Sequence, residues 1–201
     1  MATSRARAYY VLVSRLRRAG LPFSSVLPDS ECGDCDLVLT TADETKPFGA
    51  RALTLEELDE NPGVFKGQIV SRLNGEGDVI LVGVDPGKRT GLAVFYGQTK
   101  LAFNTFDSVG AVCSRVAAFA KGVPSSRVLV RVGNGNRPMS SRLVDGLRRD
   151  VPAATIEVVD ESGTSTGSSK MKGVQRDQVA AAKIAFRKGE VVSHGTTRIR
   201  G

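Results

Sequence analysis

Val79-Ile80-Leu81-Val82-Gly83-Val84-Asp85-Pro86-Gly87-Lys88-Arg89-Thr90-Gly91 sets an unbroken apolar run directly against a polar turn. Six apolar residues without alternation are what a central strand covered on both faces requires, and Pro86-Gly87 is turn chemistry that ends it. Downstream, residues 91–96 and 100–106 read as two further strands separated by Gly97-Gln98, so three consecutive strands can pair as a meander. Helical spacing then covers 108–120, a strand 127–132, a helix 140–149, a strand 154–159 and a helix 174–187. The order is βββαβαβα, an α/β class with five strands in one mixed sheet flanked by helices. A loop of Ser, Thr, Gly and Lys fills 162–172, and the tail after Gly189, basic at Arg198 and Arg200, is expected to fray.

Upstream of that run the pattern is different. Residues 5–19 predict an amphipathic helix, with Tyr9, Leu12, Val13 and Leu16 on one face, Arg7, Arg15 and Arg18 on the other, and Gly20 and Pro22 as its stop. Short strands are expected at 23–27 and 36–40, and Thr54-Leu55-Glu56-Glu57 has the capping-box form of a helix start. Asn61-Pro62-Gly63 reads as a break before the apolar segment 64–73, and Asn74-Gly75-Glu76-Gly77 marks the expected domain boundary near 75. The expected organisation is a small α/β module over 1–75 and a second domain over 76–201.

The chain has 201 residues, 41% of them hydrophobic and 24% charged, which is globular composition and excludes collagen, coiled coil and disorder as its principal state. No apolar run approaches the roughly 18 residues of a spanning helix, and the charged N-terminal stretch lacks the apolar core of a secretory signal. Three cysteines argue against a disulfide framework. The expected setting is therefore cytoplasmic, without membrane contact. The net charge of +7 hides an asymmetry: residues 1–80 carry 9 basic and 12 acidic residues, whereas 81–201 carry 19 and 9, a net of +10. A basic half of this kind is the electrostatic footprint of a polyanion binder.

Within that basic half the acids at strand ends and helix starts stand out. Asp85 terminates the most apolar strand, with Lys88 and Arg89 beside it and Gly91 offering close backbone approach. Asp160 and Glu161 end another apolar strand, and alternation sends only one of them inward. Asp177 heads a helical stripe with Ala180, Ala181 and Ile184 at i+3, i+4 and i+7. Each also has a plain structural reading, as a turn residue or as an acid favourable to a helix dipole. Converging carboxylates in a basic domain point to hard divalent cations, with nucleic-acid phosphate supplying further oxygen ligands.

This order of elements and placement of acids resembles the RNase H-like superfamily, and within it the RuvC/YqgF branch of Holliday-junction-resolvase-like nucleases, over about residues 78–189. Val82 to Val94 looks like the first strand and its following glycine, and Asp85 takes the place of the metal-ligand Asp. Val130-Arg131-Val132-Gly133-Asn134-Gly135-Asn136 is similar to the YqgF strand ending in a glycine-containing loop, where RuvC carries a Glu. Val159-Asp160-Glu161 with Thr164-Ser165-Thr166 resembles the YqgF Asp-Glu-Arg and Ser/Thr segment, which favours Glu161 as the active-site acid over Asp160; Ser162 stands where the family has Arg. Asp177-Gln178-Val179-Ala180-Ala181-Ala182 looks like the final helix that opens with the third acid.

The resemblance implies a metal-dependent endonuclease in which Asp85, Glu161 and Asp177 hold Mg²⁺ or Mn²⁺, with Asp160 in reserve. Lys88, Arg89, Lys170, Lys172 and Arg176 flank those acids and are the expected phosphate contacts. RuvC-type members act as dimers on branched DNA and YqgF-type members are associated with RNA processing. The implied partners are thus a structured or branched nucleic acid and a second copy of the chain. Two other readings compete. The Asp-Pro-Gly turn also resembles the phosphate loop of actin-like ATPases and sugar kinases, but these need a duplicated domain and only 116 residues follow Asp85. A non-catalytic nucleic-acid-binding or scaffold protein is the alternative from another class. With no Trp and only 5% aromatic residues, base stacking is not the obvious binding mode. Cys32-Gly33-Asp34-Cys35 has no second such pair, and His194 and Cys113 are poor completers of a zinc site, so a turn with two small side chains is expected ahead of a redox pair.

Overall fold

The N-terminal apolar stripe forms helix α1 (Ala6–Ala19), which buries Ala8, Leu12 and Leu16. Gly20 closes it at φ 65°, where its N–H donates to the Arg17 carbonyl and that of Leu21 to Leu16. This left-handed closure satisfies carbonyls the helix itself leaves without donors. The structure is a computed structural model that describes residues 1–29, 33–75, 77–160 and 173–192. By its internal contacts the chain divides into two compact units, Met1–Asp78 with Lys121–Pro124, and Val79–Ala120 with Ser125–Gly201.

In the first unit, β1 (Val38–Thr40) and β2 (Ala52–Thr54) pair in parallel, and α2 (Pro62–Asn74) follows. Leu12, Leu16, Leu39, Leu53, Leu58, Phe65 and Ile69 form their shared core. Three expectations change here. Only half of the capping box forms: the Thr54 N–H donates to Glu57 Oε2 at 2.8 Å, but the Thr54 hydroxyl donates to the same oxygen at 2.7 Å and the Glu57 N–H bonds the Thr54 carbonyl at 3.2 Å. Because the Thr54 backbone is committed to β2, the chain turns there and does not continue as a helix. The helix starts instead at the expected break: Asn61 accepts from the Gly63 and Val64 N–H groups, and Pro62 occupies the first turn, where a missing N–H costs nothing. Residues 23–27 contribute only an isolated bridge, Val26 to Ala2, and no strand.

Glu44 ties the start of this unit down. It accepts from the Thr3 hydroxyl at 2.5 Å, the Ser4 N–H and hydroxyl at 2.8 and 2.6 Å, and the Thr41 hydroxyl at 2.8 Å. Burial works against the carboxylate, but the bonds from Ser4, Thr3 and Thr41 outweigh it and bring its pKa down to about 2. The stabilisation it gives is full above its ordinary value of 4.5 and is lost as pH falls through about 2. Glu44→Gln is therefore expected to lower the urea midpoint of unfolding at neutral pH, with the gap to wild type closing between these two values. A gap that stays constant down to pH 2 removes the charge from the account.

The second unit begins with β3 (Val79–Asp85), β4 (Thr90–Tyr96) and β5 (Thr99–Phe106) as the antiparallel meander, with Gly97 at φ 54° in the β4–β5 turn. Then come α3 (Val109–Gly122), β6 (Arg127–Gly133), α4 (Arg137–Asp150), β7 (Thr155–Val159), α5 (Gly173–Ala185) and β8 (Glu190–Val191). The strand order is β5-β4-β3-β6-β7-β8, with β3, β6 and β7 parallel. This is a mixed α/β architecture compatible with an RNase H-like fold. The sheet has six strands where five are expected. β8, too short to show periodicity, pairs antiparallel with β7 after Gly189 fits against the Val158 carbonyl.

β3 is central, as its apolar run requires. Ile80, Val82 and Val84 are inaccessible on one face, while Gly83 faces α5 on the other. Leu81, Ala93, Phe95 and Leu129 meet Ala181 and Ala185 of α5 in one apolar cluster. α3 and α4 touch each other closely at Cys113 and Gly146. Among the described residues no helix is long and apolar enough to cross a membrane.

Candidate functional site

Strand parity and two glycines place the site. Asp85 and Gly83 lie on the same face of β3, and Asp85 pairs in register with Gly91 of β4. A Cβ built on Gly91 would stand 2.2 Å from the Asp177 carbonyl oxygen and 3.3 Å from the Asp177 Cβ. One built on Gly83 would stand 1.9 Å from the Ala181 carbonyl oxygen and 2.6 Å from the Ala185 nitrogen. Asp177, Ala181 and Ala185, spaced i, i+4 and i+8, are therefore the line of α5 laid on the sheet. Its first member comes down beside Gly91, the cross-strand neighbour of Asp85. The two carboxylate residues predicted from a strand end and a helix start are thus brought to one place, at the carboxyl edge of the parallel strands. Both are half-buried.

The small residues are what permit this. Any side chain at position 83 or 91 would hold α5 off the sheet, so the helix backbone sits on glycine backbone. At its other end the helix is fastened by Arg131, whose Nη1–H donates to the Ala185 carbonyl at 2.7 Å. A cation at a helix C-terminus complements the dipole and supplies a donor to a terminal carbonyl. Arg131 is itself held by Glu157, Nε to Oε2 at 2.7 Å, and Glu157 also accepts from the Gly189 N–H at 3.2 Å. Gly83, Arg131 and Glu157 stand in register across β3, β6 and β7, so this row anchors the helix that carries Asp177.

The other expected residues fall as follows. Asp160 follows β7 directly and is exposed. β7 is two strands from β3, about 9.6 Å at the usual spacing, and Asp160 does not join the pair: among the described residues no group of three His, Cys, Asp or Glu is gathered in a metal-binding cluster. Glu161, Lys170 and Lys172 lie outside the described residues. Lys88 and Arg89 are exposed in the β3–β4 turn, where Arg89 approaches Asp107 only to 3.8 Å, and Arg176 is exposed one residue before Asp177. The row of Arg131 and Glu157 is not foreseen from the sequence. Its signal, opposite charges at matching positions of adjacent strands, exists only once the register is known.

The cysteines differ from expectation. Cys35 is disulfide-bonded, so the two-small-side-chain reading does not hold for it. Cys32 lies outside the described residues. Cys113 is free and buried in α3, and burial pushes its thiol pKa up, which keeps it protonated and unreactive.

No protein-family model matches the chain, and no curated protein does. Among solved structures it is similar to the Argonaute of Marinitoga piezophila, crystallised in complex with a 5′-OH guide RNA, at 11% identity and a TM-score of 0.29. That likeness covers 79% of this chain and 38% of that protein.

Proposed function

We propose that the second unit is a divalent-metal-dependent nuclease of the RuvC/YqgF kind, hydrolysing nucleic-acid phosphodiester bonds. The observation that carries this reading is the meeting of Asp85 and Asp177 beside Gly91, at the carboxyl edge of the parallel strands in a half of the chain that nets +10. Carboxylate oxygens are the donors that Mg²⁺ and Mn²⁺ prefer. Gly91 between the two acids lets the start of α5 come down onto the sheet beside Asp85. Asp85 and Asp177 would hold the metal, with Glu161 as third ligand by the resemblance. When bound, the metal supplies Lewis-acid stabilisation of the phosphodiester and lowers the pKa of water at the site.

The chain's own residues position the substrate. Lys88 and Arg89 on the turn beside Asp85, and Arg176 beside Asp177, give exposed cations that steer and orient phosphate, a role Lys170 and Lys172 share in this reading. Gly83 and Arg131 keep Asp177 opposite Asp85. A structured or branched DNA and a processed RNA are the two substrate classes the resemblance offers, with a homodimer as the assembly on branched DNA.

The test is cleavage of labelled four-way junction, duplex DNA, single-stranded DNA and structured RNA in Mg²⁺ or Mn²⁺ against EDTA, with wild type beside Asp85→Asn. Metal-dependent cutting by wild type and at least about a hundredfold slower cutting by the variant is the expected result; deletion of a directly engaged catalytic group commonly costs this much or more. Salt-sensitive binding of every substrate with none cut would replace the nuclease by a nucleic-acid-binding protein. That second reading rests on the same basic half, whose net +10 attracts phosphate whether or not a bond is cut.

A further inference from the structure

Only eleven residues of the chain are aromatic, yet Phe95 and Phe103 of the β4–β5 hairpin meet the distant Phe186 on the α5 face of the sheet. Phe95 of β4 is buried and holds one ring on each side: Phe103 of β5 at 5.7 Å between centroids and 73° between planes, and Phe186 at 4.8 Å and 65°. Phe186, one residue past the end of α5, is 52% exposed, and Phe103 is partly exposed. The Lys100 ammonium lies 5.0 Å over the Phe103 ring. Lys183 on the outer side of α5 and Lys188 just beyond it are exposed as well. What sets this ring apart from the other exposed apolar residues is its setting, an exposed aromatic face with three lysines in the surrounding elements. The cations around this one select an anionic partner with flat apolar surfaces.

We propose that a single strand of nucleic acid runs along α5, stacking a base on Phe186, with Lys100, Lys183 and Lys188 on its phosphates. Aromatic rings interleaved with cations are the recognition chemistry of unpaired strands, because every base has a π-face while a duplex hides it. From Asp177 to the end of α5 is about 12 Å at the helical rise, which spans about four nucleotides at the 3.4 Å spacing of a stacked strand. The inference thus deepens the nuclease reading by naming unpaired strand as what the acid pair receives. Its binding half stands without any cleavage.

The test is fluorescence anisotropy with a twelve-nucleotide oligothymidylate, in EDTA so that nothing is cut, using wild type, Phe186→Ala, Phe186→Leu and Phe186→Tyr. The same length of abasic strand is the second probe. The expected result is at least about a fivefold rise in Kd for the Ala and Leu variants, a Kd near wild type for Tyr, and no difference among the four proteins on the abasic strand. Leu keeps apolar packing on Phe95 while removing the π-face, so a fold defect and a stacking defect separate. Binding by Phe186→Leu equal to wild type, or equal affinity of wild type for abasic and base-bearing strands, overturns the inference. So does wild-type binding of duplex or junction but not of oligothymidylate, an outcome that leaves the nuclease reading standing. Stacking as described with no cleavage of any substrate overturns the nuclease reading and leaves this one.

Discussion

Gly83→Ala is expected to cost the second unit more than about 3 kcal/mol, beyond the usual range for overpacking by one methyl group. The reason is what the new Cβ meets. It would lie 1.9 Å from the Ala181 carbonyl oxygen, 2.6 Å from the Ala185 nitrogen and 2.8 Å from the Ala185 Cβ. Backbone atoms have no rotamer to change, so α5 as a whole must retreat by at least about 1 Å to reach even a tight contact. Retreat strips Ala181 and Ala185 from Leu81. It also carries Asp177 away from Asp85, and in the proposed nuclease a shift of about 1 Å at the reacting centre is expected to cost on the order of a hundredfold in rate. Urea unfolding and the junction cleavage assay are the two readouts. Gly110→Ala is the control, because nothing lies within 4 Å of a Cβ there and it sits in helix α3; it is expected to be neutral or slightly stabilising. If Gly83→Ala unfolds at the wild-type midpoint, α5 does not lie on β3 as described.

Arg131→Met is expected to destabilise by about 3–5 kcal/mol, the cost of leaving a buried charge without its partner. Both side chains are largely buried, 13% and 14% exposed, so water replaces the lost guanidinium only in part. The substitution removes two bonds, one to Glu157 and one to the Ala185 carbonyl. The paired change Arg131→Met with Glu157→Leu removes the stranded carboxylate and is expected to recover most of the loss. What it does not recover is the donor at the end of α5 and the acceptor for the Gly189 N–H. Unfolding free energies of the two singles and the double close a thermodynamic cycle. A double variant as unstable as Arg131→Met alone would show that the ion pair itself is not what matters at this row.

Much of the second unit was legible because each of its elements announces itself locally. The six-residue apolar run from Val79, the turn at Pro86-Gly87 and the alanine-rich stripe behind Asp177 give β3, its end and the sheet face of α5 from residue types and period alone. The elements that were missed are those whose partners are distant. Thr54 carries a helix-start signal, but pairing with Thr40 claims its backbone for β2. β8 is two residues long and exists through its ladder to Glu157 and Val158. Residues 23–27 have the composition of a strand and no neighbour beyond a single bridge.

The sequence by itself determined the class of fold, the order of the second unit's elements from β3 to α5, the basic character of the second half, and the two acids that head the candidate site. These follow from local periodicity and from counting charges, which do not depend on what the chain folds against. Only the tertiary structure decided that Gly91 is where Asp85 and Asp177 meet, that Arg131 and Glu157 fasten α5, and that Phe95, Phe103 and Phe186 gather in one place. Each of these depends on strand register and on which side chains share a face across neighbouring elements. A single residue of slip would turn every one of them to the other side of the sheet.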